Sequence, residues 1–295
     1  MSDTLVKAIT KGVRVYAAVT TDLVNEAIKR HDCYPVAAAA LGRTMTGALL
    51  MAANLKNKEA ITINIRGNGP LANITADAVP EGYVRGYVAN PHVELPLNAQ
   101  GKLDVGGGVG QGLVTVTRFT GLREPMRGSS EIVSGEIAED LTNYLYVSEQ
   151  TPSSIGLGVL VDTDYTAKAA GGFMIQPMPD ADEEIITKLE ENLKNLRPVT
   201  TMIAEGKGPK EIIEEIIEEI MTGFQMEFLT TTELGFKCQC SKERLEDVLL
   251  NLNRDDMLSL IEDGQAEVCC QFCGAKYNFT KAELEHLLKL ADSVK

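Results

Sequence analysis

An α+β fold is predicted, with a strand-rich N-terminal α/β domain, an acidic helical linker and a small C-terminal domain holding four clustered cysteines. Three observations predict it. Glycine-rich runs of alternating apolar residues fill residues 1–178, acidic residues at helical spacing fill 179–232, and two close cysteine pairs mark 233–295. A chain of 295 residues with 44% hydrophobic content is long enough for a large core and for more than one unit.

In residues 1–178 the strand signals are GVRVYAAV (12–19), AITINIRG (60–67), GYVRGYV (82–88), GLVTVTRF (112–119) and SIGLGVLV (154–161). Ile61, Ile63 and Ile65 repeat every second residue, the mark of a sheet with one buried face. Two helices interrupt the strands. One follows Thr21 and Asp22; the other follows Pro35 and carries VAAAALGRTMTGALLMAANL, whose Ala and Gly positions allow close packing on a sheet. Gly106 to Gly112 lacks both the G-x-G-x-x-G spacing and a following Lys-Ser/Thr, so it reads as a glycine-rich turn and not a phosphate loop. Cys33 reads as a small buried residue, and His31, His92 and His286 as side chains without metal roles.

Residues 179–232 hold 13 acidic residues against five basic ones. Ile185, Ile186, Leu189, Leu193 and Leu196 recur at helical spacing up to Pro198, and a second helix is expected from Gly208-Pro209. There Ile212, Ile213, Ile216, Ile217 and Ile220 form one apolar stripe. Glu214/Glu218 and Glu215/Glu219 are like-charge pairs at i, i+4, each unfavourable by a few tenths of a kcal/mol in isolation. Such a helix depends on docking its isoleucine face.

Residues 233–295 have a thin apolar inventory for independent folding, so a metal staple is expected. Cys238-Gln-Cys240 and Cys270-Gln-Phe-Cys273-Gly274, 29 residues apart, supply four thiols in two tight turns. The second pair has the spacing of a zinc knuckle, in which Gly after the last ligand relieves crowding. One Zn2+ held by Cys238, Cys240, Cys270 and Cys273 is the reading. Cys269 to Cys273 also falls within ligand spacing, so the neighbouring thiol could interfere; the knuckle spacing favours Cys270. Structural zinc contributes about 10–16 kcal/mol to the folding of small domains, a contribution that thiol oxidation would remove.

The remaining composition narrows the classes. A formal charge of −14, and 12 acidic against eight basic residues in 233–295, oppose a nucleic-acid partner or a zinc-ribbon binder of nucleic acid. The start of the chain has no apolar leader core, and no run reaches the roughly 20 apolar residues of a membrane span, so a cytoplasmic protein with no membrane partner is expected. A thiol-disulfide oxidoreductase is the leading enzymatic alternative. It is opposed by the expected hairpin setting of the C-x-x-C pair and by the absence of Trp from the chain.

The two cysteine pairs, the order of domain, linker and terminal zinc unit, and the stretches HDCYPVAAAALGRTMTGALL (31–50) and YLYVSEQTPSSIGLGVLV (144–161) together resemble the 33 kDa chaperonin family, the oxidation-activated heat-shock holdases. The resemblance covers essentially the whole chain. It implies an ATP-independent chaperone, without enzymatic activity, that binds unfolding client proteins under oxidative stress and is inactive while reduced and zinc-bound. It also implies that oxidation forms the disulfides Cys238–Cys240 and Cys270–Cys273, that zinc leaves, that the linker unfolds, and that a homodimer forms. Cys269 is a departure from the family pattern.

Overall fold

A computed structural model describes residues 2–10, 12–179, 181–217 and 226–294. The chain divides into two compact units, Met1–Lys237 and Cys238–Lys295. The architecture is mixed α+β. In the first unit, β1 (Thr4–Thr10) and β2 (Val13–Val19) lead into α1 (Thr21–His31) and α2 (Pro35–Ala52). Then come β3 (Ala60–Gly67), β4 (Asn73–Ala78), β5 (Tyr83–Val88), the short α3 (Val105–Val109), β6 (Gly112–Phe119) and β7 (Met126–Glu131). The strand-rich part closes with α4 (Ala138–Val147), β8 (Ser154–Val161) and β9 (Ala167–Pro177).

Two sheets enclose α2. The five-stranded sheet runs β10-β1-β2-β9-β8 and the six-stranded sheet β11-β5-β4-β3-β6-β7, where β10 is Glu227–Glu233 and β11 is Gly235–Phe236. Helix α2 packs on strands of both sheets and is buried along nearly its whole length. By length and hydropathy it could cross a membrane, but here it is the central core helix. Its small residues make this possible: a Cβ on Gly42 would stand 2.8 Å from Val159, and one on Gly47 2.5 Å from Leu141.

The six-stranded sheet buries Ile61, Ile63 and Ile65 and turns a polar face outward, where Thr62 donates to Asp77 and Asn64 to Asn73 and Thr75. In the five-stranded sheet β1, β2 and β9 are buried on both faces. Its second face, including Val6, Val13, Val15 and Ile175, is covered by α5 (Glu183–Asn195), α6 (Val199–Ala204) and α7 (Pro209–Ile217). The described helices of residues 179–232, a segment set apart in the sequence by its charge, therefore pack within the first unit, because their apolar faces cap a sheet that would otherwise expose valines to water. Ile212, Ile213, Ile216 and Ile217 are all buried there; Ile220 lies outside the described residues.

The acidic helices also carry compensating cations. Arg197 bonds both Glu205 and Glu215 at 3.0 Å, and Lys207 joins Glu215. Hydrogen bonding from Arg197, ahead of that from Lys207, holds the Glu215 carboxyl below its ordinary pKa. Helix α6, which follows Pro198, is an addition to the two helices expected.

The chain between Glu227 and Lys237 straps the two sheets together. β10 lies antiparallel on β1 at the edge of one sheet, and β11 lies parallel on β5 at the edge of the other. Between them the Leu234 N–H donates to Asp3 O and the Gly235 N–H to Gly82 O, both at 3.0 Å. Gly82 has φ +90°, and a Cβ there would stand 2.1 Å from Glu233 O, so the strap can lie flat only over a glycine.

Candidate metal centre

The second unit is built from α8 (Lys242–Leu250), α9 (Arg254–Glu262), the hairpin β12 (Gln265–Cys269) and β13 (Lys276–Thr280), and α10 (Lys281–Val294). Ser241 and Asn253 cap the first two helices, and Thr280 and Glu283 form a reciprocal capping box at the third. The core is small: Leu249, Met257, Ile261, Ala266, Phe279, Leu284 and Leu287.

The hairpin turn carries one thiol pair. Cys270 N–H donates to Ala275 O at 2.9 Å, Gly274 N–H donates back to Cys270 O at 2.8 Å, and Gly274 takes the left-handed conformation at φ +69°. The turn thus brings Cys270 and Cys273 round to the same side. Cys238 and Cys240 lie just before the α8 cap, and Tyr277 on β13 donates its hydroxyl to both the sulfur and the carbonyl of Cys240 at 3.2 Å.

The sulfurs of Cys238, Cys240, Cys270 and Cys273 all lie within 4.8 Å of one another. Across the pairs, Cys238 Sγ is 3.8 Å from Cys270 Sγ and Cys240 Sγ 3.3 Å from Cys273 Sγ. A tetrahedral ion with metal–sulfur bonds of about 2.3 Å would put its ligands about 3.8 Å apart. Cys269 stands outside this set and is exposed, its sulfur 3.6 Å from Gly274 O. The reason is strand parity: on β12 Ala266 and Val268 turn inward while Glu267 and Cys269 turn outward, so the next residue, Cys270, returns to the inner side. Cys33 belongs to the core of the first unit, where burial, reinforced by Asp32, pushes its thiol up to about 12.

Protonation within the set is uneven. At Cys240 burial opposes ionisation, but hydrogen bonds from Tyr277 and the neighbouring thiols outweigh it and bring the thiol down to about 7. Burial raises Cys270, and burial followed by hydrogen bonding to its neighbours raises Cys273 further. One thiolate is tolerated and further ones are resisted, since each added negative charge sits beside the last. A soft divalent cation relieves that conflict, because it supplies positive charge and deprotonates coordinating thiols. The four cysteines are close enough to hold a metal ion, and both distances and donor type suit one.

These features define a mixed α+β protein that carries, in a small C-terminal unit, a cluster of four thiols close enough to hold a metal ion. A family model described as Hsp33 protein matches residues 3–280. The chain is 47% identical over 292 residues to a 33 kDa chaperonin of Desulforamulus reducens, covering 98% of each chain. It is 50% identical over 289 residues to a 33 kDa chaperonin of Bacillus subtilis, covering 97% of this chain and 98% of that one. A crystal structure of the 33 kDa chaperonin (heat shock protein 33 homolog) of Thermotoga maritima superposes with a TM-score of 0.91 at 39% identity, covering 99% of each chain. The chain belongs to the Hsp33 chaperone family.

Proposed function

We propose that this chain is a redox-regulated, ATP-independent holdase for unfolding proteins, held inactive while Cys238, Cys240, Cys270 and Cys273 bind one zinc ion. The observation that carries this reading is the packing of four sulfurs from two distant segments within 4.8 Å in a unit with a core of few buried residues. Bound zinc would neutralise the thiolates and tie the hairpin turn to the segment before α8. Oxidation by peroxide acts on each pair: two thiols lose two electrons and two protons, one S–S bond forms, and one peroxide is reduced to two waters. With Cys238–Cys240 and Cys270–Cys273 closed, no thiolate donor remains and the ion is no longer held. A disulfide spanning a single intervening residue is strained, which favours its later reduction.

The next step is release of residues 179–232, which act as the linker between switch and core domain. Their docking surface is apolar, while their outer faces are crowded with carboxylates, so stability of the docked state depends on burial of the isoleucine face. Undocking uncovers Val6, Val13, Val15 and Ile175 along with the isoleucines, a continuous apolar surface suited to clients and to a second copy, giving a homodimer in the oxidised state. The cytoplasm, where thiols are kept reduced until stress, is the fitting compartment.

The reading is tested by suppression of aggregation of a chemically denatured client, measured with the reduced zinc-loaded chain and after treatment with peroxide under mild heat. Suppression confined to the oxidised chain is expected. An oxidised, zinc-free chain that leaves aggregation unchanged overturns the reading, and reduction of insulin disulfides by the chain would favour an oxidoreductase.

A further inference from the structure

Strand parity on β13 turns Lys276, Asn278 and Thr280 outward and Tyr277 and Phe279 inward. Phe279 is fully buried in the core of the second unit, and the ring of Tyr277, two residues nearer the hairpin turn, packs against that core. A phenylalanine would supply the same apolar contact. The hydroxyl of Tyr277 does something further: it reaches the thiol cluster and stands 3.2 Å from both Sγ and the carbonyl oxygen of Cys240.

The sulfurs of the cluster are held in different ways. Those of the hairpin turn accept main-chain N–H groups, Cys270 from Phe272 and Cys273 and Cys273 from Ala275. The fold of the turn supplies such donors whatever the side chains. At Cys240 the donor is a side chain, and it comes from the other half of the site, since Tyr277 belongs to the hairpin and Cys240 to the segment before α8. The bond therefore spans the same two segments as the contact of Cys240 with Cys273. An O–H donor engages a sulfur lone pair and draws electron density from it, most strongly when the sulfur is a thiolate. Such outer partners orient a ligand and tune it, and a sulfur stabilised in this way is a weaker nucleophile.

We propose that Tyr277 is a positioning residue of the switch, which orients Cys240 toward the other three sulfurs and shields it from oxidant. The inference rests on the zinc-switch reading above and deepens it, because it sets the reactivity of one cysteine pair through a side chain, separately from the other pair. When peroxide attacks, an electron pair of the sulfur forms an S–O bond while the O–O bond breaks and hydroxide leaves. The sulfenic acid then condenses with the thiol of its pair partner, forming S–S and releasing water. The hydrogen bond from Tyr277 engages the electron density on which the first of these steps depends.

The test treats the zinc-loaded full chain with substoichiometric peroxide and maps the first disulfide by mass spectrometry. Tyr277→Phe keeps the ring and removes the hydroxyl. It is expected to shift the ratio of the two disulfides by about threefold or more toward Cys238–Cys240, whereas a looser fold would speed both pairs together. Incorporation of 3-fluorotyrosine at position 277, a stronger donor, is expected to shift the ratio the other way. Loading with Co2+ gives a reading that needs no oxidation: the sulfur-to-metal charge-transfer band should move to longer wavelength in Tyr277→Phe, since a sulfur freed of its hydrogen bond gives up an electron more readily. An unchanged disulfide ratio overturns the shielding role and an unmoved band overturns the bond to sulfur; either result overturns the proposal. A wild-type chain that keeps its zinc and thiols under excess peroxide would overturn the switch reading and this proposal with it. Normal switching of the wild-type chain with an unchanged ratio in Tyr277→Phe would overturn only the role of Tyr277.

Discussion

Cys240 Sγ lies 3.3 Å from Cys273 Sγ, although 33 positions separate them in the chain, and the contact joins the segment before α8 to the turn of the β12–β13 hairpin. A neighbouring contact, Cys238 to Cys270, does the same at 3.8 Å. Each cysteine pair is local in sequence, while the contacts across the pairs are long-range. Zinc bound by all four would hold the long-range arrangement, and two local disulfides would abandon it.

That geometry separates two adjacent thiols. Cys270→Ser should lose stoichiometric zinc and lower the unfolding temperature of residues 238–295, since the unit has few other buried groups. Cys269→Ser, altering an exposed thiol outside the cluster, should keep stoichiometric zinc and a stability within about 0.5 kcal/mol of wild type. Zinc content and calorimetry of the two variants check this; equal zinc loss in both would place Cys269 among the ligands.

The isoleucine face of α7 is the second point of leverage. Ile216→Glu puts a carboxylate where the side chain is fully buried against the five-stranded sheet, at an expected cost of roughly 3–5 kcal/mol. The helices should undock without oxidation, seen as faster proteolytic cleavage within 180–232 and partial holdase activity in the reduced chain. Unchanged cleavage would show that α5–α7 do not depend on this face.

The strap between the sheets depends on one glycine. Gly82→Ala should destabilise the first unit by about 1–3 kcal/mol, combining the left-handed conformation with the approach of Glu233 O. Hydrogen exchange should accelerate at the N–H groups of Leu234, Gly235 and Lys237, which bond Asp3, Gly82 and Val84. Exchange there at the wild-type rate would contradict the assignment.

Asp3 links the same strap to acid. Burial raises its carboxyl to about 6 against the hydrogen bonds from the Leu23 and Asp22 N–H groups, which lower it. The folded pKa exceeds the unfolded value of about 3.9, so between pH 4 and 6 the folded state binds more protons. Stability from this group therefore falls as pH rises through that window, and the penalty persists above it. Asp3→Asn removes the titrating group but offers one oxygen where the Asp22 and Leu23 N–H groups bond separate ones, so it should flatten the dependence between pH 4 and 6, while the lost hydrogen bond, about 1 kcal/mol, offsets part of the gain at pH 7.5. Denaturant titrations of both proteins across that range provide the check.

Much of this was legible from residue patterns. The small-residue run of α2 announced close packing, and the two cysteine spacings announced tight turns. The choice between Cys269 and Cys270 was also within reach, since alternation along AEVCC puts Cys269 on the outer face with Glu267. The docking of 179–232 was harder to read. Its charge suggests separation, whereas the deciding fact is that β1, β2 and β9 are apolar on both faces and need a second cover. The path of β10 and β11 was hidden for a different reason: their partners, β1 and β5, lie more than a hundred residues earlier, and short strands with mixed composition carry little signal of pairing.

The central claim is that four thiols form one latch that opens as two local pairs. Peroxide titration of the zinc-loaded chain, with released zinc, free thiols and disulfide-linked peptides followed in one sample, tests it most directly. The prediction is one zinc lost for every four thiols consumed, with Cys238–Cys240 and Cys270–Cys273 as the linked peptides and Cys269 still reduced. Zinc retained after four thiols are gone, or a bridge between the two segments such as Cys240–Cys273, would contradict it.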